Sequence, residues 1–362
     1  MKLLCAAPGP THSTIDVYTG IVDGLRAIGH AVGEFRTHTR IAHANHCLRL
    51  RWEAAGSPAG QEPDPNNVSF HATSEIVQYA LYHEVDWVLF VSCGVVHPAV
   101  YTMLRRAGVP NAMLVTESPY EDERQAEMAA LVDLVWTNER TSVEQLRQVN
   151  PNTFYLPHAY DPARHYPAEP DPSVPAHDVV FVGTLWQERI DLLAAVDWSG
   201  IDLGIYGSAD LFDQDRFPSP HNARQRTILE PYLHIGFIDN ARTTALYRSA
   251  RLGLNLHRTS VGLTGGRHVH GAESMNPRCY EQAATGGALL VTDARAEVLE
   301  TFGEAAPVFD GPGQLEDCVR TLLYDEHAGQ QRVDAMRQAI APHTFAARAA
   351  QMTSRLARRK ER

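Results

Sequence analysis

Residues Glu273 to Asp293 read E-S-M-N-P-R-C-Y-E-Q-A-A-T-G-G-A-L-L-V-T-D. The order predicts a loop carboxylate, a capped helix start, a second carboxylate one turn into that helix, a glycine stop and a buried strand. Asn276 is a natural N-cap, and Pro277 fits the first helical position, where a missing N–H costs nothing. Gly286 and Gly287 end the helix, and Ala288 to Thr292 reads as a short apolar strand. A helix start presents backbone N–H groups and a positive dipole end, so it suits a phosphate. Glu281, one turn deeper, can accept hydrogen bonds from two vicinal hydroxyls, as on a ribose.

Outward from this stretch the chain reads as two α/β halves. Strand Leu3–Ala7, a loop from Pro8 to Ser13, helix Thr14–Ile28 and strand Ala31–Phe35 form a βαβ unit, which requires a parallel sheet. Strands at Asp86–Val91, Asn111–Thr116 and Leu131–Trp136, with a helix at Tyr101–Ala107, complete one doubly wound domain. Prolines crowd Phe154 to Pro175 and mark a linker. The pattern restarts with strand Asp178–Val182, the Gly183-Thr184-Leu185 turn and helix Gln187–Val196. Strands Leu203–Tyr206, Leu233–Gly236 and Leu252–His257 and helix Ala241–Ser249 follow. The expected boundaries are a first domain over 1–155, a linker over 156–177, a second domain over 178–340 and a terminal helical segment over 341–362.

Composition narrows the class. The 362 residues allow two domains of ordinary size, and 44% hydrophobic with 21% charged residues is globular. A formal charge of −11 disfavours tight nonspecific binding to nucleic acid or anionic membrane. Five cysteines without regular spacing make no disulfide framework. Met1 to Ala7 is too short an apolar run for a signal peptide, and no stretch is long enough to span a bilayer, so a cytoplasmic location is expected.

The Glu273–Asp293 stretch resembles the Glu-x7-Glu signature of retaining glycosyltransferases with two Rossmann-like domains facing across a cleft, the GT-B fold. It is closest to family 4 and to the spore-maturation group. The Asn-x-Arg-x-x-Glu segment of that group is here Asn276, Arg278 and Glu281, with Gln282 in place of the usual Ala. The Leu-Pro-His-Ala-Tyr-Asp-Pro portion of the linker and the Gly29-His30 helix end are similar as well. The resemblance implies an acceptor domain first and a donor-binding domain second, with the terminal helix crossing back onto the first. It implies a nucleotide-diphosphate sugar donor, an unidentified hydroxyl acceptor, retention, and neither a metal nor a further cofactor.

The same resemblance assigns roles. Glu273 approaches the transferred sugar and Arg189 grips the donor diphosphate where the family keeps a Lys; an Arg fork can hold phosphate oxygens with two parallel bonds. Glu281 binds the ribose, and Gly183, Thr184, Arg258, Ser274, Met275, Asn276 and Arg278 complete the donor-binding set. Thr184 replaces a basic residue of the family, and Arg258 is a substitute for the lost charge. The glycines of the Gly262–Gly271 region would let that loop close over a donor. Two other readings share the fold: a nucleotide-sugar epimerase or phosphorylase, and a noncatalytic nucleotide-sugar-binding protein.

Metal motifs are weaker. His268 and His270 with Glu273, and His43 with His46, supply no full ligand set, and Asp213-Gln214-Asp215 falls in a polar loop rather than at a strand end. On the acceptor side, ligands meet parallel strands at their carboxyl ends. That rule brings forward His12, Ser13 and Glu117. It also brings forward the run Phe35 to Trp52, which carries Arg36, His38, Arg40, His43, His46, Arg49 and Arg51 without an acidic residue. Such a basic lip suits an anionic acceptor such as a phosphorylated sugar, a polyanionic glycan or a modified nucleic acid.

Overall fold

The structure is a computed structural model that describes residues 1–8, 13–92 and 94–360. Its contacts divide the chain into one unit of Met1–Pro157 with Phe345–Arg362 and a second of His158–Thr344.

Short apolar runs dictate the first unit. In order come β1 (Lys2–Ala6), α1 (Ser13–Ala27), β2 (Ala31–Phe35), α2 (Thr37–Ala54), α3 (Pro65–Thr73), α4 (Glu75–Tyr82) and β3 (Trp87–Val91). After them run α5 (Pro98–Arg106), β4 (Asn111–Val115), α6 (Asp122–Ala129), β5 (Leu134–Thr137), α7 (Val143–Arg147) and β6 (Thr153–Tyr155). The sheet order is β2-β1-β3-β4-β5-β6, and its strands pair in parallel. Trp87 to Val91 is buried at every position, because helices cover both faces and no alternation is needed. Leu4, Val88, Phe90, Tyr101, Met113 and Val135 centre its core.

The basic run after β2, expected as a lip at a strand exit, is the 18-residue helix α2, with only Thr37 buried. Ile41, Ala44, Leu48 and Trp52 recur at helical spacing and are half-buried, a stripe that packs on α3. The stripe is interrupted by charge and imidazole, which hid the helix from a periodicity reading.

The second unit continues with β7 (Val179–Val182), α8 (Gln187–Ala194), β8 (Leu203–Gly207), α9 (Pro220–Leu229), β9 (Leu233–Ile235), α10 (Asn240–Ser249) and β10 (Leu252–Asn255). Then come β11 (Ser260–Val261), β12 (Arg267–His268), α11 (Pro277–Thr285), β13 (Leu289–Asp293), α12 (Ala296–Phe302), β14 (Val308–Phe309), α13 (Pro312–Tyr324) and α14 (Glu326–Ile340). Its main sheet is ordered β14-β13-β10-β7-β8-β9. Val179 and Phe181 face one buried layer and Val180 and Val182 the other. The chain leaves β7 toward β8 on one side and returns through β10 on the other, so the order reverses between β7 and β10. In open parallel sheets that reversal leaves a crevice at the strands' carboxyl ends.

Residues 158–177, read as linker, pack within the second unit: Tyr160, His165, Val174 and His177 are buried, and Tyr160 bridges Thr344. The last helix, α15 (Phe345–Lys360), belongs to the first unit. Gly20 and Gly24, one turn apart in α1, let it approach, since a Cβ at either would overlap the ring or backbone of Phe345. Arg348 Nε donates to Pro157 O at 2.9 Å, and Arg355 lies 4.1 Å over the Phe154 ring. No helix among the described residues is long and apolar enough to cross a membrane.

Candidate active site

The start of α11 is built by its own sequence. Asn276 is extended, with φ −78° and ψ 167°, and its Oδ1 accepts from Cys279 N at 3.1 Å. Pro277 takes the first helical position, and Gly286 closes the helix at φ +70°, a left-handed turn that favours glycine. A residue not singled out in the sequence holds the approach: Glu297 of α12, itself buried, accepts from Met275 N at 2.6 Å and from Tyr280 Oη at 3.1 Å. Its own N–H donates to Glu273 O at 3.0 Å. Met275 was expected among the donor ligands. Its amide donates to Glu297 and its side chain is buried, so it also anchors the loop. Ser274 is buried as well, and Glu273 is half-buried.

Gln282, the departure from the family's Ala, is explained by the neighbouring strand. Its Nε2 donates to Gly253 O at 2.6 Å, in a space that a Cβ at residue 253 would overlap. The glycine in β10 admits the larger side chain.

Glu281 does not sit open. Its side chain is 6% exposed, and Oε2 accepts from Arg278 Nη1 at 2.6 Å. The same Nη1 donates to Asn240 Oδ1 at 2.9 Å, and Asn240 Nδ2 lies 3.3 Å from His165 Nε2. Burial alone would raise the Glu281 carboxyl, but Arg278, His165 and His158 together hold it below the ordinary carboxylate value. Burial lowers His165 and so favours its neutral form. Asn240 and His165 reach this group from α10 and from the 158–177 segment, a convergence that no local pattern announces.

The β7–β10 crevice lies beside this helix. Gly183 and Gly207 pack backbone to backbone at the exits of β7 and β8, where a Cβ at Gly207 would overlap Gly183 O. Arg189 spans the crevice: Nη1 donates to Thr184 O at 2.9 Å and Nη2 to Leu256 O at 2.5 Å, with Phe181 beneath. The expected phosphate grip is thus tied to two carbonyls, one from each wall. Arg258 stacks over Trp186 at 4.0 Å, and its Nε donates to Ser260 O at 2.6 Å.

The Gly262–Gly271 region, read as a flexible loop, contains β12, which pairs antiparallel with β11 just before it to form a hairpin. Glu188 fastens it, accepting from Thr259 N at 3.0 Å and Ser260 Oγ at 2.9 Å. Gln187 N donates to Leu263 O at 3.2 Å. At the far wall, Asp293 Oδ1 accepts from both His257 N, at 2.8 Å, and His257 Nδ1, at 2.9 Å. Burial would raise the Asp293 carboxyl, yet His257 and Arg295 bring it down to about 2.

The acceptor-side residues scatter. His12 lies outside the described residues, as does the side chain of Ser13. Glu117 is half-buried just past β4. Arg36 precedes α2, and Arg40 pairs with Glu75 at 3.0 Å, both partly exposed. His268 and His270 are exposed with rings 6.2 Å apart. Among the described residues no three His, Cys, Asp or Glu side chains converge as metal ligands. Asp213 Oδ1 accepts from Asp215 N and Arg216 N, so the Asp-x-Asp run closes its own turn.

Residues 188–354 match a protein-family model described as glycosyl transferase-like, a region that includes Arg189, Glu273 and Glu281. No curated protein matches the chain in sequence. Solved structures align over nearly its whole length. An E. coli trehalose-6-phosphate structure with bound UDP-2-fluoro glucose covers 98% of this chain and 99% of its own, at 12% identity and TM-score 0.61. AviGT4, a glycosyltransferase involved in avilamycin A biosynthesis, covers 99% and 97% at 16% identity and TM-score 0.59. A UDP-N-acetylglucosamine 2-epimerase from Listeria monocytogenes, so described provisionally, covers 99% and 96% at 11% identity and TM-score 0.58. The fold is therefore that of GT-B glycosyltransferases, α/β with two parallel-sheet units.

Proposed function

We propose that this chain transfers a sugar from a nucleotide-diphosphate sugar to a hydroxyl acceptor, with retention and without a metal ion. The observation that carries the reading is Arg189 bridging the β7 and β10 exits beside the capped start of α11. Helix amides and guanidinium groups placed where charge develops stabilise a departing diphosphate. Arg258 adds a second cation at the β10 exit. Glu281, with Oε2 committed to Arg278, is assigned the ribose through its other oxygen. Glu273 is assigned to the transferred sugar, and retention rests on the resemblance to Glu-x7-Glu enzymes.

The acceptor is assigned an anionic character from α2. Arg36 at the N-cap and Arg40, His43 and Arg51 along the helix fall on one exposed flank beside the stripe of Ile41, Leu48 and Trp52. Glu117 is assigned to an acceptor hydroxyl.

Thermal-shift screening of nucleotide-sugars, then donor turnover with and without acceptor in excess EDTA, tests the reading. A stabilising nucleotide-sugar with chelator-resistant turnover is expected, because a ligand that binds only the native state raises its stability. Turnover abolished by EDTA and restored by Mn²⁺ overturns the metal-free part. The epimerase fold match makes a second outcome concrete: an isomerised donor without acceptor would replace transfer by epimerisation.

A further inference from the structure

Behind the α11 start runs a buried polar chain whose meaning depends on the donor reading above. Asn255 closes β10, a strand buried at every residue, and is itself 4% exposed. A buried amide is tolerated when its donors and acceptor are matched. Its Nδ2 lies 2.9 Å from Thr292 Oγ1 and 3.2 Å from Cys279 Sγ, and its Oδ1 accepts from Asn276 Nδ2 at 2.9 Å.

The polarity of this chain is set from β13. The Thr292 hydroxyl donates its proton to Asp293 O at 3.3 Å, so its oxygen is left to accept. In keeping with this, Asn255 turns its nitrogen toward Thr292 and its oxygen toward Asn276. Asn276 answers with nitrogen, which leaves its own Oδ1 facing Cys279 N as the helix cap. With the opposite amide orientation Asn276 would present NH₂ to an N–H, and the cap would be lost.

We propose that Asn255 is a positioning residue for diphosphate recognition. It locks Asn276 in the one amide orientation that caps α11, so the first turn meets the donor phosphates already formed. Glu281, assigned to the ribose, sits one turn deeper in α11 and is held by Arg278 rather than by this chain of bonds, so the larger effect is expected on the phosphates.

The test is calorimetric titration of wild type, Asn255→Ala, Thr292→Val and Thr292→Ser. The ligands are UDP, GDP, ADP, CDP and dTDP, then the nucleoside belonging to the tightest of the five. Loss of a cap predicts about a ten-fold drop in diphosphate affinity for Asn255→Ala and Thr292→Val. Nucleoside affinity should stay within about two-fold, and Thr292→Ser should match wild type. If Asn255→Ala does not fold, Thr292→Val decides. An unchanged diphosphate-to-nucleoside ratio in a folded variant overturns the positioning role and leaves the donor reading standing. A wild type that binds none of the five overturns both.

Discussion

At the strand exits of the second unit, charge is buried in matched sets. Glu281 meets Arg278, Asp293 meets His257 and Arg295, and Glu297 takes an amide and a phenol. At the exit of β2 in the first unit, charge lies on the surface. Arg40 and its partner Glu75 are 48% and 40% exposed, and the cap position Arg36 makes no side-chain bond to α2. Buried sets fix geometry, because each lost partner strands another group in a low dielectric. Exposed cations fix little and are screened by salt, so they suit attraction of a partner rather than its precise placement. The contrast makes one region sensitive to single substitutions in stability and the other only in association.

Breaking the Glu281–Arg278 pair should have the largest effect. Glu281→Ala leaves a largely buried guanidinium without its carboxylate, and a loss of about 3–5 kcal/mol in urea unfolding is expected. Donor affinity in the fraction that folds should fall by about 1–3 kcal/mol. Gly253→Ala comes next, at about 3 kcal/mol, because its methyl overlaps the Gln282 amide between two packed layers. Adding Gln282→Ala should recover most of that loss, and a double-mutant cycle measures the coupling.

The third expectation is a pH dependence. The Asp293 carboxyl is held at about 2 against an ordinary 3.8. A depressed carboxylate contributes stability that is full above the ordinary value and disappears as pH falls toward the folded one. The contribution is about 2 kcal/mol, lost between about pH 4 and pH 2. Unfolding midpoints followed across that window should flatten in Asp293→Asn. An equally steep acid limb in the variant would assign the loss to other carboxylates.

The smallest stability change belongs to the exposed region. Arg36→Glu with Arg40→Glu should move unfolding by no more than about 0.5 kcal/mol. It should raise the KM for an anionic acceptor and remove its salt dependence. Kinetics equal to wild type at both low and high salt would make α2 a plain surface helix.

The same contrast explains what could be read from the chain. The α11 start was legible because Asn276, Pro277 and Gly286 act on their immediate neighbours, and the buried strands were legible from unbroken apolar runs. Glu297, Asn240, His165 and Asn255 were not. Each is an ordinary residue in its own element and gains its role only when another element folds beside it. Arg189 was found by position, yet its two carbonyl partners appear only once β7 and β10 are neighbours. Helix α2 escaped because its buried stripe is thin and its other faces carry charge.

The docking of α15 onto α1 has a consequence for how the protein is made. The first unit needs Phe345–Lys360, while the second is complete at Thr344, with its two ends joined through Tyr160 and Thr344. Domains usually finish in the order of their synthesis. Here the inner unit can close while the outer one, begun first, waits with the α1 surface around Gly20 and Gly24 uncovered until the final helix emerges. A nascent chain halted before Phe345 would therefore carry a finished second unit on an unfinished first one, and that exposed α1 face is where a chaperone would find it.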